Sequence, residues 1–180
     1  MSIRSGILLV LAEGEAYGLQ LHGELEERTD RRINVGQIYS TLDRLQAAGL
    51  VQASGTTDDG LPLYDVTEEG RRTAAEWLAD AEVDSPSAWS EFTFKLLLAT
   101  SLGAATPALL AAHRAAWSRS AHDGEASAAA PATRARRLLA EAALAWLDEL
   151  GAAPGGLRAL AVPLRNERPR RGRRPAPAQQ

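Results

Sequence analysis

The sequence predicts a mainly α protein: a winged helix-turn-helix domain over residues 1–81, then an all-helical dimerisation region over residues 89–151. Three observations carry that prediction. Apolar residues recur at helical spacing in three successive segments before residue 50. The pattern then switches to two short extended runs around a polar, glycine-bounded tip. Helical periodicity returns after the hairpin and resumes beyond a linker, Glu82 to Ala88, that contains Ser85-Pro86-Ser87.

Ile3 to Ala12 reads as the first helix, with Ile7, Leu8 and Leu11 as its buried set. Its apolar run stops at Glu13 without a small-residue cleavage site, which marks a core helix rather than a signal peptide. Glu13 to Ala16 reads as a turn, and Tyr17 to Arg28 as a second helix with Leu21 and Leu25 one turn apart. A connection holding Asp30, Arg31 and Arg32 leads into residues 34–49, the most informative stretch of the chain. There Val35, Ile38, Tyr39, Leu42 and Leu45 fall on one stripe of a 3.6-residue helix. Asn34 is placed to cap its start, and Gly49 to take the left-handed turn at its end. Gln37, Ser40, Thr41 and Arg44 occupy the other face, a mix of amide, hydroxyl and guanidinium suited to base edges and phosphates.

Leu50 to Ala53 reads as a strand, Ser54 to Gly60 as a hairpin tip, and Pro62 to Val66 as the returning strand. Its alternation sets Tyr64 and Val66 on one face, Leu63 and Asp65 on the other. Thr67 caps a fourth helix whose first turn holds Glu68 and Glu69, favourable at the positive end of the helix dipole; it runs to about Ala81. Three more helices come after the linker. Trp89 to Leu102 aligns Trp89, Phe92 and Leu96; Thr106-Pro107 opens a helix to His122 that aligns Leu110, His113 and Trp117. Gly124 to Ala132 reads as a loop. Thr133 to Leu150 aligns Leu139, Ala142, Trp146 and Leu150, with Gly151 as terminator. These Ala-rich helices are too few for a large core of their own, so a homodimer is expected to cover their apolar stripes. Residues 165–180, rich in Arg and Pro, are expected to be a disordered tail.

Composition narrows the function. The 180 residues include no cysteine, which excludes disulfides and thiolate metal sites. His22, His113 and His122 have no zinc-site spacing, and there is no phosphate-binding Gly-Lys loop and no Gly-x-Ser-x-Gly elbow. We therefore expect no enzyme activity, no cofactor and no metal. No apolar run is long enough to span a bilayer, so a cytoplasmic protein without a membrane partner is expected. Charge is uneven. Residues 1–80 hold 7 arginines against 14 carboxylates, whereas residues 165–180 hold 6 arginines against one glutamate. An acidic domain opposes long-range attraction to phosphate.

The chain resembles the PadR family of bacterial transcription regulators. The resemblance covers residues 3–80 and is carried by Ile7 to Gly14, Tyr17-Gly18, Gly36 to Leu45, Gly49-Leu50-Val51 and Tyr64 to Arg71. Glu91 to Ala99 resembles the start of the family's C-terminal dimerisation helices. The resemblance implies repression of neighbouring transporter or detoxification genes and release from DNA by a small molecule. The wing departs from the family pattern: Thr56 to Leu63 holds Asp58 and Asp59 and no basic residue.

From these readings the expected function is a ligand-responsive regulator, a repressor, that binds double-stranded operator DNA as a homodimer. The expected DNA-binding residues are Tyr17, Asn34, Gln37, Tyr39, Ser40, Thr41 and Arg44. Gln37 suits an adenine edge, and also the fourth place of an Asn-x-x-Gln capping box. Arg44, late on its helix, suits a phosphate. Tyr39 is expected to bury its ring and offer its hydroxyl to a phosphate, with Tyr17 doing likewise. Arg31 and Arg32 could steer phosphate or simply form a solvated turn. Trp89, His113, Trp117 and Trp146 are the candidate contacts for a small hydrophobic or aromatic effector, although aromatics at this spacing also serve as plain core. The acidic wing motivates the alternative, a winged-helix protein-interaction module without specific DNA binding.

Overall fold

The computed structural model describes residues 3–85, 87–122 and 130–165. The chain runs α1 (Ile3–Glu13), β1 (Ala16–Tyr17), α2 (Gly18–Thr29), α3 (Val35–Ala47), β2 (Val51–Thr56), β3 (Pro62–Val66), α4 (Glu68–Ala79), α5 (Ala88–Ser101), α6 (Pro107–His122) and α7 (Pro131–Gly151). A 3-10 turn at Leu157–Leu160 comes last. The fold is mainly α: a winged helix-turn-helix with a helical C-terminal region. No helix among the described residues is long and apolar enough to cross a membrane.

The helix-turn-helix forms because α1, α2 and α3 each bury a stripe in one core. Ile7, Leu8, Leu11, Leu21, Leu25, Ile38, Leu42 and Leu45 are all essentially inaccessible. The end of α3 is a Schellman motif: Leu50 N donates to Leu45 O and Gly49 N to Gln46 O, with Gly49 at φ +68°. The same corner starts α4. Thr67 N donates to Leu50 O, its hydroxyl donates to Gly49 O, and its Oγ1 accepts from Gly70 N at 3.1 Å. The wing is thus clamped between the two helix ends. Tyr64 and Val66 face the core as their alternation requires.

Several expectations need correction. Ala16, expected in a turn, and Tyr17, expected to open the second helix, instead form β1, which pairs antiparallel with β3 through Ala16–Tyr64 and Tyr17–Leu63, giving a sheet in the order β1-β3-β2. Two residues are too few to show a strand period. The hairpin is longer than expected, β2 reaching Thr56 past a register shift between Ala53 and Gly55. On α7 the buried stripe is Ala140, Ala143 and Leu147, not the one through Leu139 and Ala142. The helix is rotated by one residue because its Ala-rich sequence offers two adjacent apolar stripes and α6 takes one. Leu138 and Leu139 are left exposed, at 53% and 40%. The loop expected over 124–132 lies mostly outside the described residues, as does the tail beyond Arg165.

One helix belongs to both halves. α5 gives Phe94 and Leu98, with its C-cap Leu102, to the helix-turn-helix core, and Phe92, Leu96 and Ala99 to a second core with α6 and α7. A helix apolar all round must be covered all round.

Candidate nucleic-acid interface

The N-terminal half of α3 projects its polar residues into solvent. Asn34 caps the helix through Oδ1, which accepts from Gly36 N at 2.7 Å. Gln37 is exposed, and among the described residues its side-chain amide makes no hydrogen bond, so the capping box is not closed. Ser40 is exposed, its hydroxyl donating to Gln37 O at 3.2 Å. Arg44 lies back along the helix, Nε donating to Ser40 O at 2.9 Å and Nη2 to Ser40 Oγ at 3.3 Å. Gln37, Ser40 and Arg44 therefore form one continuous polar strip that the protein's own packing leaves open.

Three other expected contacts sit differently. Thr41 is only 7% exposed and turns away from the strip toward a cavity of about 520 Å³ between α3 and α5, which Gln37, Arg44, Trp77, Glu91 and Lys95 also line. It lies at i+3 from Ile38 and beside Leu42, on the edge of the buried stripe. The Tyr39 ring, expected in the core, is instead 38% exposed. It lies across the start of α2, where a Cβ on Gly18 would come within 2.6 Å of Tyr39 Cε1. Glycine at 18 is what permits that position. Tyr17 is 7% exposed, held in β1, so it belongs with the core more than with the strip.

The surrounding charge is mostly committed. Arg28 pairs with Glu24 at 2.7 Å, Arg71 with Asp65 at 3.7 Å and Arg72 with Glu69 at 2.5 Å. Arg31 is not a solvated turn: it bonds Ser90 and Thr93 of α5 and lies 6.0 Å from the centre of the Phe94 ring. The wing tip stays acidic, with Thr57 Oγ1 donating to Asp59 Oδ1 at 2.6 Å. Burial first, then Asp43 and Tyr39, raise the Tyr64 phenol above its ordinary pKa, so it remains a protonated donor under this face.

The four expected effector residues do come together, around Phe92. Ring centres lie 5.4 Å from Phe92 to His113, 5.2 Å to Trp117, 5.5 Å to Trp146 and 5.9 Å to Trp89. Phe92 is the residue that sequence reasoning leaves out of the site, although its place on the Trp89 stripe is visible there. His113 is 2% exposed, and neither ring nitrogen has a hydrogen-bond partner among the described residues; Trp117 Nε1 is likewise buried and unpartnered. Burial, and secondarily Lys95, lowers the His113 pKa to about 4. A neutral imidazole and an indole N–H thus sit inside an apolar cluster with unmet hydrogen-bonding capacity, a costly arrangement.

Residues 7–76 match the family model described as the transcriptional regulator PadR-like family. That stretch is similar to the PadR-like regulators. The chain is similar to Bacillus subtilis PadR in complex with operator DNA, at 20% identity over 84% of this chain and 98% of that one, with a TM-score of 0.44. It is also similar to a transcriptional regulator from Clostridium thermocellum, at 25% identity over 42% of this chain and 75% of that one, with a TM-score of 0.40. No curated protein matches it. The matched stretch takes in the capped helix α3, the wing and most of α4, and stops short of the aromatic cluster.

Proposed function

We propose that this chain is a ligand-responsive transcriptional repressor that binds operator DNA as a homodimer through α3. The observation that carries the reading is the open strip Gln37–Ser40–Arg44 along the second helix of a helix-turn-helix, inside the stretch that matches the PadR-like family model. Gln37 reads a base edge through its free amide, Arg44 and the Tyr39 hydroxyl hold phosphates, and Asn34 fixes the helix start against the backbone. Thr41 drops out of the direct contacts because it is covered. The exposed pair Leu138–Leu139 on α7 supports the dimer, since two adjacent leucines left in solvent offer apolar surface to a partner. The effector site of this reading is the cluster around Phe92, where an aromatic or apolar ligand carrying a donor and an acceptor would satisfy His113 and Trp117 Nε1. The domain division at residues 82–88 and a neighbouring transporter or detoxification operon as the target are further parts of the proposal.

Fluorescence anisotropy with the DNA upstream of the chain's own gene tests it. The protein should bind that DNA over a scrambled duplex, and Gln37→Ala should cut the discrimination by about 1–3 kcal/mol. Folded, dimeric protein that shows no preference at low salt would overturn the reading.

The acidic wing favours a second reading, a winged-helix module that docks on another protein. In that case the double variant Gln37→Ala/Arg44→Ala retains full regulatory function in cells.

A further inference from the structure

A cavity of about 680 Å³ opens between α6, the end of α7 and the segment that follows α7. Its size is that of small-molecule sites, about 300–1,000 Å³. Neither the α3 strip nor the aromatic cluster lines it. One wall is a single face of α6, where Pro107, Leu110, Ala111 and Arg114 recur at helical spacing. Leu110, Ala105 and Leu147 make the floor and are buried. The opposite wall is Gly151, Gly155, Gly156 and then Leu157, which packs against the second core.

That opposite wall is held in place. Gly155 and Gly156, at φ +79° and +75°, turn the chain back, and Gly156 N donates to Ala153 O at 2.8 Å. Past the turn, Val162 N donates to Ser101 O at 2.7 Å, at the end of α5. Arg28 Nη2 donates to Pro163 O at 3.0 Å, and Arg165 N donates to the buried Glu24 at 2.7 Å. The cavity is thus preformed, and a ligand need not order its own wall.

Its chemistry is narrow. No aromatic ring and no carboxylate lines it, and its only charged lining residues are Arg114 and Arg158. Arg114 is committed to Asp148 at 2.6 Å. Arg158 is exposed at the mouth, and its guanidinium has no hydrogen-bond or ion-pair partner among the described residues. A guanidinium fork matches a carboxylate through two parallel bonds. The floor offers no ring to stack on, so a hydrocarbon chain covers it as well as an aromatic group does. Leu138 and Leu139, the pair offered to a second copy, lie about 18 Å along α7 from Gly151, so the two surfaces are distinct.

We propose that this cavity binds an aliphatic carboxylic acid, with its chain on Leu110, Leu147 and Leu157 and its carboxylate on Arg158. The site is separate from the effector cluster around Phe92, and its occupation does not depend on DNA binding.

The test is a titration of the full chain, labelled with nitrogen-15, with octanoate and with 1-octanol at neutral pH, below the concentration at which octanoate forms micelles. Amide shifts should concentrate at Gly151, Gly155, Gly156 and Arg158, and octanoate should bind about three- to tenfold tighter than octanol. Arg158→Gln should bring octanoate down to the octanol level and leave octanol unchanged. Gly151→Leu should weaken both ligands at least tenfold by narrowing the cavity; a Cβ there meets nothing within 4 Å, so the fold should tolerate it. No saturable shift at millimolar octanoate would overturn the site. So would shifts at the Trp117 and Trp146 indoles in place of the glycines, or undiminished binding to Gly151→Leu. Equal affinity for the two ligands, unchanged by Arg158→Gln, would overturn the carboxylate pairing. A Gly151→Leu protein that loses its dimer, with neither ligand bound by the original chain, would show the cavity to be covered by a second copy and end the proposal.

Discussion

Gly70 should be intolerant of even one added methyl group. It sits in the first turn of α4, and a Cβ there would lie 2.1 Å from the Leu50 carbonyl oxygen and 2.6 Å from Val66 Cγ2. The carbonyl is fixed, because it accepts from Thr67 N at 3.0 Å and belongs to the residue whose N–H closes the Schellman corner on Leu45 O. Gly70→Ala gains about 0.8–1.0 kcal/mol of helix propensity. Against this stand overpacking at about 1–3 kcal/mol and a lost or bent hydrogen bond at about 1 kcal/mol. Because the clash is with backbone, the upper end applies, and the net loss is about 2–3 kcal/mol. For a chain of this size that is a fall in Tm of about 4–12 °C. Gly23→Ala is the control: it lies within α2 with nothing within 4 Å, so it should gain about 0.5–1 kcal/mol. Urea melts of the three proteins give the comparison. A Gly70→Ala protein as stable as Gly23→Ala would refute the view that the wing and α4 are locked through the Leu50 carbonyl.

Burial holds His113 neutral, its pKa lowered from 6.5 to about 4, so the unfolded chain binds the extra proton in that window. Stability should therefore fall as pH drops from about 6.5 toward 4, by up to about 3 kcal/mol; His113→Phe should lose this part of the pH dependence, read as the difference between the two proteins' denaturation curves. Leu138→Asp with Leu139→Asp should convert a dimer to a monomer in sedimentation without unfolding it, since both side chains already face solvent; a variant that stays dimeric refutes this face as the interface. Asp58→Lys with Asp59→Lys should tighten nonspecific DNA binding and steepen its salt slope by about 1–2; an unchanged slope would show that the wing stands clear of the phosphates.

The elements that can be read from the sequence are those whose signals are local. The α3 stripe, its Asn34 cap and its Gly49 terminator specify one helix with two ends, and the structure has it within a residue. Thr67 with Glu68 and Glu69 does the same for α4. The elements that cannot be read depend on partners distant in sequence. β1 exists only because β3, some 47 residues later, offers it an edge. Tyr39 leaves the core because Gly18 on another helix makes room for its ring. The rotation of α7 is decided by α6, and the return of residues 162–165 over α2 by Glu24, which helical spacing places on the Leu21 face but whose bond to Arg165 N it does not reveal. The four candidate effector residues stand out individually by their types, but that Phe92 is their centre depends on how three helices meet.

The position of α5 has a mechanical consequence. Phe92 faces the aromatic cluster and Phe94, two residues on, faces the helix-turn-helix core; both are rigid rings on one turn of one helix. Arg31 lies over Phe94 and bonds Ser90 and Thr93 beside it, and Arg31 is three residues before the Asn34 cap. A ligand that wedges into the cluster must displace Phe92, and α5 cannot move Phe92 without carrying Phe94 and the Arg31 anchor with it. The start of α3, where Gln37 sits, is the next thing in line. Such coupling needs only that the ligand bind the displaced geometry better than the packed one. The unmet bonding capacity of His113 and Trp117 supplies that preference, because in the packed state it is unsatisfied. On the proposed reading the aromatic cluster and the α3 strip would be coupled through α5 and its Arg31 contacts, and Arg31→Ala should then weaken any effect of a ligand on DNA affinity.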